Sequence, residues 1–179
     1  MPDLLADLAA VAAPFRDELE RADAAWADCP LDWVRRLPSP KRRGTLGERI
    51  LSAYLVEHGI AVERTPDVEA DRLVGGRRME IKTAFRSGAG TYTFMQVRPA
   101  HDYTDLLLFG ISPDTAHLWI VPKHVALPHT RPQHGGASGS GETRLLVIRA
   151  AAPPDWLSAW GGELDDAVAR LALGAPPSH

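Results

Sequence analysis

Asp71, Glu80 and Lys82 are the residues of this chain whose types and spacing suit phosphoryl chemistry. Between the two acids lies Gly75-Gly76, a strong two-residue turn signal between segments able to be strands. Counting outward from that turn sets Val74 against Arg77, Leu73 against Arg78 and Asp71 against Glu80. Opposed residues of an antiparallel pair share a face, with Cβ atoms ~4.5–5.5 Å apart, so two acids there repel each other. A hard divalent cation such as Mg²⁺, held by one or two carboxylates, reverses the sign of that argument. Lys82 lies two residues beyond Glu80 and shares its face by the strand's period of two, while Met79, Ile81 and Phe85 point towards a core. Two acids and a lysine converging on one side of a sheet predict a site that cuts phosphodiesters.

Asp71, followed after eight residues by Glu80-Ile81-Lys82, resembles the PD-(D/E)XK nuclease superfamily, and the resemblance spans Gly44 to Pro122. It implies an α/β fold with a central mixed sheet flanked by helices. It further implies Mg²⁺ as cofactor, with Mn²⁺ able to substitute, and the Ile81 carbonyl as a further ligand. An acid on the helix before the hairpin, here Glu48, often completes the metal shell in that family. The Pro-Asp dipeptide is out of register, because Pro66-Asp67 lies four residues before Asp71. Asp71 is the preferred acid and Asp67 the alternative.

Glu48 has a second explanation. Thr45 and Glu48 have capping-box spacing, with Thr45 opening a helix whose apolar face is Ile50, Leu51, Tyr54 and Leu55 and whose stop signal is Gly59. Gln96 lies on the next strand-like segment, 91–97, where alternation groups it with Tyr92 and Phe94. From there it could assist the reaction or read an adenine edge, or it could simply be a half-exposed strand residue.

The elements that must position these groups follow from pattern. Apolar residues at Leu4, Leu8, Val11, Phe15, Leu19, Ala22 and Trp26 predict an amphipathic helix over 3–27, kinked near Ala13 by Pro14. Residues 60–62, 105–110, 116–121 and 144–148 read as further strands, the second of them buried on both faces. Residues 154–160 and 163–173 read as closing helices, and 128–142 as a His/Gly-rich loop suited to recognition. Histidines from His101 to His134 raise a zinc or HNH-type alternative, with His129 or His134 as base, yet no zinc-ligand spacing supports it.

At 179 residues the chain reads as one structural domain: a helical arm and basic loop (1–43) packed on a nuclease-like α/β body (44–179). Cys29 is the single cysteine, which excludes an intrachain disulfide and argues against a thiolate metal cluster. Without a signal-like start or a run approaching ~20 apolar residues, the expected location is cytoplasmic. The net charge of −3 does not advertise a nucleic-acid binder, but residues 35–98 hold 13 Lys/Arg against 7 Asp/Glu, a surplus of six. That surplus surrounds the acids and nominates Arg42, Arg43, Arg77, Arg78, Arg86 and Arg98 as DNA-binding residues.

These features point first to a Mg²⁺-dependent endonuclease of the type II restriction kind, acting on double-stranded DNA as a homodimer. A repair or junction-resolving nuclease of the same superfamily is the second reading. A non-catalytic DNA-binding or assembly module is the third, and a plain surface ion-pair cluster the fourth.

Overall fold

The computed structural model describes residues 4–133 and 142–172. The chain begins with helices α1 (Leu4–Ala24), α2 (Asp32–Arg35) and α3 (Pro40–Glu57). Strands β1 (Val62–Arg64), β2 (Arg72–Val74), β3 (Arg77–Phe85), β4 (Thr91–Val97), β5 (Asp105–Ile111) and β6 (Ala116–Pro122) follow. The remainder is α4 (Lys123–Ala126), β7 (Arg131–Pro132), β8 (Arg144–Arg149), α5 (Asp155–Ser158), β9 (Gly161–Glu163) and α6 (Leu164–Ala172).

Among the described residues the strands form a six-stranded mixed sheet, β1-β2-β3-β5-β6-β9, and a smaller one, β4-β8-β7. Only the β3–β5 pair of the large sheet is parallel. Parallel neighbours need a long crossover, and here β4 supplies it by leaving the plane to join the second sheet. Period-two alternation on β5 then sorts its side chains. Leu106 and Leu108 meet Tyr92, Phe94, Leu146 and Ile148 of the small sheet. Leu107, Phe109 and Ile111 meet Leu51 and Leu55 of α3 and Ala167 and Val168 of α6. The central strand is therefore buried along its whole length, as its continuous apolar run requires.

Helix α1 is helical on both sides of Pro14; the Ala10 carbonyl that loses its partner lies on an exposed stretch. The arm does not pack on the body along its length, since Leu8, Val11, Phe15 and Leu19 are exposed and burial starts near Trp26, which sits against Phe85. The central mixed sheet flanked by helices is as expected, and β4 pairs with β8 in the second, smaller sheet. Gly161–Glu163 adds an edge strand on β6 ahead of α6, which Gly161 permits with φ +147° at a point where a Cβ would lie 2.1 Å from the Leu118 carbonyl oxygen. No described helix is long and apolar enough to cross a membrane.

Candidate active site

The glycine turn forms as expected. Gly75 and Gly76 both adopt positive φ, at 55° and 78°, and β2 pairs with β3 in the anticipated register, Val74 with Arg77 and Leu73 with Arg78. The ladder ends at Arg72–Met79, one residue short of the acids. Asp71 sits in a bend there: its amide donates to the Met79 carbonyl at 3.0 Å, and its Oδ2 accepts from the Ile81 amide at 2.7 Å. The carboxylate thus takes the place of the backbone acceptor that β2 would have supplied had it continued. The Ile81 carbonyl lies on the same strand edge as that amide, past the last rung.

Glu80 and Lys82 share the β3 face that also carries Ala84 into the core beneath the small sheet. Glu80 is 2% exposed, and the Lys82 ammonium donates to its Oε1 at 2.6 Å. Burial pushes the Glu80 carboxyl above its ordinary value; Lys82 opposes this and the Asp71 charge adds to it. Arg98 also lowers it, so that guanidinium lies within electrostatic reach of the acids.

Glu48 enters from the opposite side on α3. The helix begins earlier than the capping-box spacing predicts: Ser39 is the N-cap, its Oγ accepting from the Arg42 amide, with Pro40 in the first turn. Glu48 is therefore mid-helix, and capping does not explain it. What fixes its position is Gly47, where a Cβ would lie 2.4–2.7 Å from the Thr83 side chain, so α3 lies directly on β3. Burial and then the Asp71 charge raise the Glu48 carboxyl, Arg72 and Lys82 lower it, and Glu80 raises it further. Asp67 lies elsewhere: its Oδ1 accepts from Arg78 at 2.8 Å and from the Glu69 amide at 2.9 Å, and the arginine holds its carboxyl below the usual range.

The remaining candidates divide. Arg77 is ion-paired with the buried Asp105 and Arg78 with Asp67, and Arg78 also donates to the Asp102 carbonyl, so both charges already have partners within the fold. Arg43 donates to the Leu37 carbonyl, while Arg42 is exposed. Arg86 has a buried Nε without a protein partner. Gln96 is corrected in its facing: a bulge between Phe94 and Val97 puts Gln96 at φ 57° and exposes it, its amide donating to Gln133 Oε1 at 2.8 Å. Tyr92, Phe94 and Val97 are the buried residues of that strand instead.

Among the described residues no group of three or more His, Cys, Asp or Glu side chains stands at metal-holding spacing. His129 stacks on Trp156 at 3.9 Å, His117 is buried beside Tyr92 and Trp119, and His134 lies outside the described residues. Two of the acids are ion-paired, Glu48 with Arg72 at 2.6 Å and Glu80 with Lys82 at 2.6 Å. Their chemistry nevertheless fits a hard divalent cation. All the donors are oxygens, and the charge of Asp71 raises the carboxyls of both Glu48 and Glu80, a repulsion that a cation relieves.

Two neighbours were not among the expected site residues. Arg72 bridges Glu48 and the Asp71 carbonyl; its adjacency to Asp71 is the only signal the sequence offers. Tyr103 is buried with its hydroxyl lacking a protein partner, and burial followed by the Glu80 charge raises it. Nothing in the chain order links Tyr103 to the hairpin.

Among solved structures, the chain is similar to a bacterial homing endonuclease, I-Ssp6803I, at 14% identity and a TM-score of 0.49, over 77% of this chain and 94% of that one. No protein-family model matches the chain. No curated protein matches it.

Proposed function

We propose that the chain is a Mg²⁺-dependent endonuclease that hydrolyses DNA phosphodiester bonds, of the type II restriction kind within the PD-(D/E)XK superfamily. The observation that supports this reading is the buried Glu80 with the Lys82 ammonium 2.6 Å from it, on the strand whose Ile81 amide donates to Asp71 Oδ2 at 2.7 Å.

Asp71, Glu80 and the Ile81 carbonyl would hold the cation, with Glu48 completing the set. When bound, such a cation, Mg²⁺ or Mn²⁺, would supply Lewis acidity toward a phosphate oxygen. Lys82 orients the attacking water and offsets the negative charge that builds as the new P–O bond forms and the old one breaks. Arg98 and Arg42, rather than Arg77 and Arg78, carry the phosphate contacts. Cutting both strands of a duplex calls for two such sites, hence a homodimer. Incubation with mixed-sequence plasmid in Mg²⁺ tests the reading: discrete fragments support restriction, a smear supports structure-guided or non-specific cutting, and intact plasmid at all Mg²⁺ and Mn²⁺ concentrations refutes nuclease activity on duplex DNA.

A further inference from the structure

We propose that Arg72 is an internal counter-ion of the carboxylate cluster, holding Glu48 away from the cation position until a divalent cation displaces its guanidinium. This rests on the reading of Asp71, Glu80 and Glu48 as cation ligands. The Arg72 Nη2 lies 2.6 Å from Glu48 Oε1, and its Nη1 donates to the Asp71 carbonyl at 2.6 Å, so one planar group ties the third acid to the strand bearing the first. The two side chains are 25% and 19% exposed, which leaves the pair partly screened and breakable.

Neither backbone can follow if the pair opens. Arg72 is fixed opposite Met79 in the last rung of the hairpin, and α3 is fixed where Gly47 lies on Thr83. Exchange of arginine for cation is therefore a matter of side-chain rotation alone. A divalent ion brings twice the charge into the same set of oxygens. The acids are assembled but latched, and the chain carries its own competitor for the metal.

Titration calorimetry with Mn²⁺ alone, without DNA, tests this. Arg72→Ala should bind Mn²⁺ on the order of fivefold more tightly than the wild type, the size expected for breaking a part-exposed ion pair. Arg72→Lys, which keeps a charge but loses the planar fork, should fall between them. In a Glu48→Gln background, Arg72→Ala should change nothing, whereas a general effect of removing positive charge would persist there. Equal or weaker Mn²⁺ binding by a folded Arg72→Ala overturns the latch while leaving the site reading intact. Absence of Mn²⁺ binding by every form overturns both.

Discussion

Gly47 lies on Thr83 with no room for a side chain between them: a Cβ at residue 47 would stand 2.4 Å from Thr83 Cγ2 and 2.7 Å from its Cβ. That packing joins the helix carrying Glu48 to the strand carrying Glu80 and Lys82. Gly47→Ala must push α3 off β3, at a cost of about 1–3 kcal/mol for overpacking. Urea denaturation should show the loss, and Thr83→Ala in the same chain should recover part of it by removing Cγ2 and Oγ1. A Gly47→Ala chain as stable as the wild type would mean that this packing is not as close as described.

The buried acids make stability depend on pH in a definite direction. The Glu80 and Glu48 carboxyls are raised in the folded chain. Their stabilising contribution is therefore fully present below the unfolded glutamate value of about 4.3 and is lost as pH rises through the raised folded values. The urea midpoint of the cation-free protein should decline across that window. Glu80→Gln should flatten the decline, and a midpoint that climbs through the same window would contradict the burial argument.

A cation that binds only the folded site raises the melting temperature by mass action. At a hundredfold excess over the dissociation constant the gain is about 2.7 kcal/mol, or roughly 5–11 °C for a chain of this size. Differential scanning fluorimetry with Mn²⁺ should show that shift for the wild type and none for Asp71→Asn with Glu80→Gln.

The arginines should separate by role. Arg77→Ala leaves Asp105, 1% exposed, with the Thr104 hydroxyl as its remaining described partner, so it should lower stability more than DNA affinity. Arg98→Ala should do the reverse, weakening duplex binding and making the salt slope shallower by about one, as expected when a single phosphate loses its cation. Equal effects of both on binding would return Arg77 to the DNA surface.

How much of the fold and site is legible in the chain follows from which signals are local. The Gly75-Gly76 turn and its register can be counted because hairpin pairing is fixed by the loop, and β5 can be read because burial on both faces leaves an unbroken apolar run. The start of α3 is less legible: Thr45 offers a good cap, yet Ser39-Pro40 offers an earlier one that the packing keeps. Gln96 escapes the alternation of its strand because one bulged residue inverts it. The Arg72–Glu48 pair spans two elements with no shared periodicity, and only the folded chain brings them together.

Catalysis by Asp71, Glu80 and Lys82 is tested most directly by Mg²⁺-dependent cleavage of supercoiled plasmid by the wild type and Lys82→Ala, with duplex binding measured alongside. The account predicts cutting by the wild type that EDTA abolishes, and a loss of about 10²–10³ in rate for Lys82→Ala with duplex affinity retained. Cutting by Lys82→Ala at the wild-type rate, or wild-type cutting that persists in excess EDTA, would contradict it.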